Sequence, residues 1–313
     1  MRNESLYNLA QENEVLVFLN YLPKAVMRVA RDKTLWKGEG RPPKDLYDIL
    51  VCLMIQHYIG FSTRRSMGII KVFTSFARMH VEMPCFKTLS NYRNKEELKT
   101  YLDSLIEETS KPLSLLENDF STDATGASTK TFSSWYSIRA KKRSRRRDHI
   151  MTHVTTSRIL NSAVAVDTGC RKGKDSIYMR EHINQVKKNF RINDWCGDGA
   201  YCSRDNCEAV RKVNGNPWFK PRKNSVLKKR GCKAYNDMLL AYVIEHEKSL
   251  KHYHKRSNSE STFSAKKRKF GNVVRSRNNT AKENEEHSKW IAYNFPVLAR
   301  AKFEHGIKAF EKD

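Results

Sequence analysis

The chain of 313 residues carries 59 lysines and arginines against 34 aspartates and glutamates, a formal net charge of +25. Hydrophobic residues make up 39% of the chain and aromatic residues 10%, enough for a sizeable core, which excludes a disordered basic tail protein. This charge argues against an enzyme for small neutral metabolites, because the positive groups repel one another unless the partner is a polyanion. Nucleic acid is the leading polyanion, and an anionic membrane surface is the second.

The charge is unevenly distributed along the chain. Residues 1–110 carry a net charge of +3, whereas residues 111–313 carry +22. The length suits one large domain and a smaller one. We therefore predict a boundary near Lys111 and Pro112, with a helical N-terminal domain over 1–110 and a basic domain over 111–313.

No segment has the pattern of a secreted or membrane-embedded chain. The N-terminus leads into no apolar signal region, and the longest apolar run, Ile49 to Ile55, is far shorter than a bilayer span. The seven cysteines are odd in number and lack tightly paired spacing, which is typical of reduced thiols in a cytoplasm. We expect a cytoplasmic protein that has no membrane partner.

The first 110 residues have the pattern of short helices. Apolar residues at helical spacing run over 45–59 and stop at Gly60, and Ser62 is a candidate N-cap for a helix over 63–77. A third helix is predicted to begin near Cys85. Three short helices around a tight turn resemble a helix-turn-helix DNA-binding domain. An ordinary helical bundle with a solvated polar face has the same pattern and is favoured by the pattern alone.

After residue 111 the hydrophobic period changes. A strand is predicted over 115–122, ending at Asp123 just before a turn-like Ala-Thr-Gly. Further along the chain, the pattern predicts strands over 132–138, 150–156, 163–169 and 191–196, and helices over 175–190 and 235–270. Strands followed by alternating strands and helices predict a mixed α/β domain.

Three acidic residues stand in this basic region at positions suited to metal binding. Asp123 ends one predicted strand, Asp198 follows another between two glycines, and Glu260 lies in the long helix among lysines and arginines. Carboxylates at the ends of neighbouring strands can converge, and a third from a crossing helix completes an oxygen cage for Mg²⁺ or Mn²⁺. Where a phosphodiester is held, this arrangement suits two-metal phosphoryl transfer.

The long predicted helix also has the spacing Y-x2-R-x3-E-x6-K, formed by Tyr253, Arg256, Glu260 and Lys267. At about 100° per residue, these four side chains fall within an arc of about 60° on one helix face. Arg256 and Lys267 suit DNA phosphates, and Tyr253 suits a phosphate or a sugar. Glu260 taken alone is better interpreted as the salt-bridge partner of a solvated basic helix.

Taken together, these motifs resemble the insertion-sequence DDE transposases that carry the YREK signature, within the retroviral-integrase superfamily. The first acidic motif is Ser-Thr-Asp-Ala-Thr-Gly at 121–126, and the second is Gly-Asp-Gly-Ala-Tyr at 197–201. The four residues of the YREK signature are all present, and the segments 60–64 and 84–89 look like the helical DNA-binding region of this family. The resemblance covers most of the chain.

The resemblance implies a ribonuclease-H-like α/β fold, a mixed sheet flanked by helices and preceded by a small all-α domain. It implies a transposase that uses Mg²⁺ or Mn²⁺ to hydrolyse DNA at the terminal inverted repeats of an element and joins the freed 3′-hydroxyls to target DNA. Carried over by motif, the catalytic metal ligands are Asp123, Asp198 and Glu260. The residues expected to bind the transposon end are Tyr253, Arg256 and Lys267. Double-stranded DNA, a homodimer that pairs two ends, and a prokaryotic, nucleoid-associated location follow from the same resemblance.

A run of six cations in seven residues lies between the first two predicted catalytic strands. We expect it to contact the DNA backbone without reading sequence, because phosphate contacts position a protein but do not specify bases. A solvated hairpin tip between two strands is the alternative. The cations are Lys141, Lys142, Arg143, Arg145, Arg146 and Arg147.

Two other functions stay open from the sequence. One is a catalytically silent DNA-binding protein derived from a transposase, which the complete acidic triad and YREK pattern disfavour. The other is a metal-dependent DNA nuclease without strand transfer, which shares the metal site and differs only after cleavage.

Overall fold

The computed structural model describes residues 3–31, 33–35, 43–129, 149–169, 176–228 and 230–310. Its strands are β1 (Asp119–Ser128), β2 (His149–Ser157), β3 (Ala163–Thr168), β4 (Asp194–Gly197) and β5 (Asn216–Phe219). They form one sheet in the order β3-β2-β1-β4-β5. The first three strands are antiparallel neighbours, whereas β4 and β5 run parallel to β1. This mixed sheet, flanked by helices and preceded by a helical region, confirms the predicted ribonuclease-H-like α/β class.

Helices surround the sheet and fill the first third of the chain. Before the sheet come α1 (Glu4–Glu12), α2 (Glu14–Ala30), α3 (Leu46–Ile59), α4 (Thr63–Phe76), α5 (Phe86–Arg93), α6 (Leu98–Ser110) and a 3₁₀ turn at Lys111–Leu113. Among and after the strands come α7 (Ser176–Val186), α8 (Arg204–Lys212), α9 (Lys233–Ile244), α10 (His246–His254), α11 (Ser257–Phe270) and α12 (Asn279–His305).

The three predicted N-terminal helices are confirmed as α3, α4 and α5. The Asp45 side chain caps α3 by accepting a hydrogen bond of 2.8 Å from the Tyr47 N–H. Gly60 ends α3 in the left-handed region at φ +74°, which a glycine adopts without steric cost. Because α3 is apolar on nearly all sides, it is buried along most of its length. Ser62 precedes α4 as its N-cap residue.

The longest helix, α12, joins the N-terminal helices to the sheet. It packs against α1, α2, α3 and α6 on one side and against β3 on the other. Asn294 makes the link specific: its Oδ1 accepts from the Ala163 N–H at 2.9 Å, and its Nδ2 donates to the Ala163 carbonyl and to Thr109 Oγ1. One hydrophobic cluster therefore runs through the helical region and the sheet. The domain boundary near residue 110 stays a prediction.

The prediction that a strand ends at Asp123 was wrong. Asp123 lies in the middle of β1, which begins at Asp119 and continues to Ser128. Gly126 does not end the strand, because it is paired with Met151 in the antiparallel ladder with β2. Upstream, the buried Glu117 carboxylate accepts hydrogen bonds from the N–H groups of residues 158, 159 and 160, so the chain turns there instead of extending.

The predicted long helix over 235–270 was also wrong, because the chain forms α9, α10 and α11 in its place. The strands predicted over 150–156 and 163–169 are confirmed as β2 and β3. The helix over 175–190 and the strand over 191–196 are present but shorter, as α7 and β4. The strand predicted over 132–138 lies outside the described residues.

Within the described residues, no single helix combines the length and the apolar character that crossing a membrane requires. Only α3 and α4 taken together reach that length and composition, and their axes are bent by 107°.

A stability prediction follows from the ion pair between Lys266 of α11 and Glu286 of α12, whose side chains are 1% and 2% exposed. Removing one partner of a buried pair leaves the other charge uncompensated. We expect Glu286→Gln to lower the free energy of unfolding by about 3 kcal/mol, measured by urea denaturation. The double variant with Lys266→Met should recover much of this loss, because it removes both charges. A double variant that is less stable than Glu286→Gln contradicts the assignment.

Candidate active site

The parallel pairing of β1 with β4 brings two of the predicted acids together. The paired residues run from Asp119 opposite Asp194 to Thr122 opposite Gly197. Asp123 and Asp198 are the residues that follow this last pair, so they lie side by side where β4 ends. Electrostatic interaction between the two carboxylates is one of the factors that raise the pKa of Asp123.

The turn that carries Asp198 is held by hydrogen bonds on several sides. Asp198 Oδ1 accepts from the Ala200 N–H at 2.8 Å, and the Arg222 guanidinium donates to the carbonyls of Gly199 and Ala200 at 2.7 and 2.8 Å. The Tyr201 hydroxyl lies 2.8 Å from His153 Nδ1 on β2. Because the backbone of this turn and the side chain of Tyr201 are both anchored, the turn holds the Asp198 carboxylate in a fixed position.

The third acid reaches the site through an arginine. Arg256 is the N-cap residue of α11, and Glu260 lies one turn further along that helix. The guanidinium donates to Asp123 Oδ2 at 2.7 Å and to Glu260 Oε1 at 2.8 Å. The Asp123 side chain is 13% exposed, whereas that of Glu260 is 60% exposed. Arg256 therefore bridges a buried carboxylate on β1 and an open one on α11.

The carboxyl group of Asp123 is strongly influenced by its surroundings. Burial is the main cause that raises its pKa, and the neighbouring charges of Asp198 and Glu260 raise it further. The Ala124 N–H, 2.9 Å away, and the Arg256 guanidinium act in the opposite direction. The net direction is upward, and Arg256 partly offsets the cost of ionising this carboxyl group.

The remaining two residues of the YREK pattern lie close by, but the prediction that all four share one helix was wrong. Tyr253 belongs to α10, and its ring centre is 5.9 Å from Arg256 Cζ. Lys267 lies on α11 and lines a cavity of about 440 Å³ together with Glu260 and Thr125. The four residues are thus neighbours across a helix junction.

A further carboxylate, outside the three predicted acids, holds this junction. Asp194, at the start of β4, accepts from Lys255 Nζ at 3.0 Å and from Trp218 Nε1 at 2.9 Å, and it lies 2.7 Å from His252 Nδ1. These hydrogen bonds and the charge of Lys255 lower the pKa of Asp194 despite its burial. Trp218 stacks on His252 with ring centres 4.3 Å apart. Asp194 is therefore a structural anchor.

The residues that sequence reasoning missed are those that orient the acids: Lys255, His252, Arg222 and His153. The sequence contained one usable signal, an aspartate at the first position of a short buried strand, where an unpaired charge is costly and a cationic partner is required. The basic run Lys141, Lys142, Arg143, Arg145, Arg146 and Arg147 lies outside the described residues.

The three acids fit a divalent cation by their chemistry, because Mg²⁺ and Mn²⁺ prefer carboxylate oxygens. Over the part of the chain that the structure describes, no three His, Cys, Asp or Glu side chains are positioned to hold a metal ion. The Arg256 guanidinium lies between Asp123 and Glu260, forms an ion pair with each and offsets part of their negative charge. A cation at the acids must therefore displace or reorient Arg256.

The bridge predicts a change in the titration of Asp123. Arg256→Gln removes the positive charge that favours the ionised carboxylate, so the pKa of Asp123 should rise further. Carbon-detected NMR of selectively labelled aspartate carboxyls measures this directly. Arg268→Gln is the matched control, because Arg268 is an exposed cation of the same helix that does not bridge Asp123 and Glu260. An unchanged Asp123 pKa in Arg256→Gln contradicts the bridge.

Comparison with known proteins identifies the family of the chain. The family model described as the transposase DDE domain matches residues 116–295, a span that includes the whole sheet and all three acids. No curated protein sequence matches the chain significantly. The match covers more than half of the chain, and the chain therefore belongs to the transposase DDE domain family.

Proposed function

We propose that the protein is a metal-dependent DNA transposase that binds the terminal inverted repeats of an element, hydrolyses the DNA there and joins the 3′-hydroxyl ends to target DNA. The observation that carries this proposal is the Arg256 bridge between Asp123 and Glu260, beside Asp198. Two carboxylates that share one cation beside a third carboxylate, in a strongly basic chain, suit the cleavage of a polyanion better than the binding of one.

In this proposal Asp123, Asp198 and Glu260 hold Mg²⁺ or Mn²⁺, which when bound stabilises the charge on the attacking and leaving oxygens of the phosphodiester. The fixed turn around Asp198 and the central strand position of Asp123 keep two carboxylates in place. Glu260, which is largely exposed, is free to adjust. This combination of rigid and adjustable groups suits a site that must accept a DNA strand.

Arg256 has two roles in the proposed reaction. Before DNA binds, its guanidinium pairs with both Asp123 and Glu260 and offsets part of their negative charge. A guanidinium binds carboxylate and phosphate groups with the same fork of N–H donors, so Arg256 can exchange the carboxylates for a phosphate of the transposon end. Tyr253 and Lys267 flank the same position and contact the strand beside that phosphate. The run over 141–147 adds backbone contacts that carry no sequence information.

Pairing of two element ends requires two copies of the chain, so the proposal includes a homodimer that assembles on DNA. Double-stranded DNA is the partner as both element end and target. The cell compartment is the cytoplasm of a prokaryote, in association with the nucleoid.

The first test incubates the full chain with duplex DNA that carries the ends of its own element and with Mg²⁺ or Mn²⁺. Asp123→Asn, Asp198→Asn and Glu260→Gln should each lower the nicking rate at least about 100-fold, because each loses part of several kcal/mol of metal-derived stabilisation. Asp205→Asn is the matched control, since its side chain is 72% exposed on the neighbouring α8. Nicks and joined products should be separated on a denaturing gel.

Each alternative has its own outcome in this assay. Wild-type nicks without joined products support a nuclease without strand transfer. Absence of any metal-dependent nick, together with retained DNA binding, supports a catalytically silent DNA-binding protein and sinks the transposase proposal.

The second test measures Mn²⁺ binding by electron paramagnetic resonance in the absence of DNA. Asp123→Asn should weaken Mn²⁺ binding at least about tenfold, because it removes an anionic ligand. Arg256→Gln should strengthen it by about tenfold, since a competing unit charge within contact distance is removed. Asp205→Asn should leave the affinity unchanged. Weaker Mn²⁺ binding in Arg256→Gln contradicts the competition between arginine and metal.

A further inference from the structure

A second basic cavity lies away from the acids. It has a volume of about 700 Å³ and lies between the N-terminal helices and the segment 271–278 that links α11 to α12. The end of α3, the start of α4, α5 and the first turns of α12 form its walls. Asp123, Asp198 and Glu260 are not among its lining residues.

The described lining of this cavity carries five cations and one carboxylate. The cations are Lys87, Arg93, Arg275, Arg277 and Lys289. The carboxylate, Glu285, is already satisfied by Lys289 at 3.1 Å and by the N–H groups of Arg275 and Ser276. These partners hold the pKa of Glu285 at about 2. The other cations are therefore an excess that the wall does not neutralise.

Arg93 is the unusual member of this set. Its side chain is buried, at 8% exposure for the residue, yet over the described residues no carboxylate lies within ion-pair distance of it. Its guanidinium donates only to neutral oxygens: Gln56 Oε1 at 2.5 Å, Thr63 Oγ1 at 3.2 Å and Ser276 Oγ at 3.4 Å. Its Nε has no partner. Burial lowers the pKa of Arg93, and the charge of Glu285 offsets this only in part. An anion bound in the cavity would therefore stabilise this buried cation.

Two further polar features face the same space. His57 lines the cavity, is buried at 5% exposure, and its Nε2 has no hydrogen-bond partner. The helix α4, 14 residues long, begins at the cavity, and its N-cap residue Ser62 makes no side-chain capping hydrogen bond. The first N–H groups of a helix and its positive dipole end favour an anion.

We propose that this cavity binds a phosphate group, held by Arg93 with the start of α4, and that the phosphate belongs to the backbone of DNA lying across the N-terminal helices. The choice of DNA rests on the proposed function and on the exposed rim cations Lys87 and Arg277, which continue the positive surface outward. The volume leaves room for the sugar-phosphate chain on either side. A free phosphate ion has the same chemistry, so the experiment must distinguish binding of free phosphate from binding of the DNA backbone.

The first measurement uses inorganic phosphate and the full chain without divalent metal. At equal ionic strength, phosphate well above its dissociation constant should raise the Tm about 2–4 °C relative to chloride. Arg93→Met should abolish this increment, whatever its effect on the Tm in chloride. The matched control is Arg191→Gln, which removes an exposed cation that lines none of this cavity. An increment that persists unchanged in Arg93→Met overturns the proposal.

The second measurement uses a 20-base-pair duplex and follows log K against log salt concentration. Loss of one phosphate contact should reduce the magnitude of the slope by about 0.9 in Arg93→Met, with no change in Arg191→Gln. A lost phosphate increment with an unchanged slope overturns the DNA assignment in favour of free phosphate. If Arg93→Met does not fold, the double variant Lys87→Gln with Arg277→Gln, which changes two exposed residues, replaces it. A smaller Tm increment and a shallower slope in this variant support the proposal, and an unchanged increment and slope overturn it.

These outcomes are separable from failure of the proposed function. Both measurements can be made in the Asp123→Asn background, where no cleavage is expected. If the chain shows no cleavage but keeps the phosphate-dependent Tm increment and the change in slope, the cavity still binds the DNA backbone. Only the proposed transposase reaction is then contradicted.

Discussion

The side-by-side placement of two carboxylates at the end of β4 is the constraint on which the rest of the site depends. Parallel pairing of β1 with β4 puts Asp123 next to Asp198, and burial together with the charge of Asp198 raises the pKa of Asp123. One guanidinium partly offsets this effect. Arg256 reaches Asp123 from the N-terminus of α11 and takes hold of Glu260 as well. Glu260 is thus held near Asp123 by the same guanidinium that pairs with Asp123.

The strand β4 controls both ends of this arrangement although it is only four residues long. Its first residue, Asp194, holds Lys255 and His252 at the junction of α10 and α11, and its last residue, Gly197, leads directly into Asp198. The position of Arg256, next to Lys255, is therefore set by the same strand that presents Asp198. The stacking of Trp218 on His252 completes the anchor. Acids and counter-cation form one unit, so a shift of β4 would move them together.

Local pattern was enough to predict α3, α4, α5, β2 and β3, because each has an apolar period, a cap or a turn residue within its own sequence. It was not enough for β1 or for the break between α10 and α11, because partners distant in sequence decide both. Gly126 stays in a strand through its pairing with Met151, and the break at Lys255 follows from its ion pair with Asp194. The three acids were predicted from their motif context, and their catalytic role stays a prediction. That Arg256 binds two of them could not be predicted, since sequence shows charge but not partners.

The cations of the chain can be grouped by the partners that they contact. Lys266 and Lys289 are buried against carboxylates and serve the fold, whereas Arg93 is buried against neutral oxygens only. Arg256 stands between these cases, because its carboxylate partners are those proposed to bind metal. On that proposal, metal at the acids releases Arg256 for a phosphate, and DNA that engages Arg256 releases the acids for metal. Each ligand then raises the affinity for the other by the same factor, since coupling between two sites is reciprocal. A single arginine would make metal binding depend on the presence of DNA.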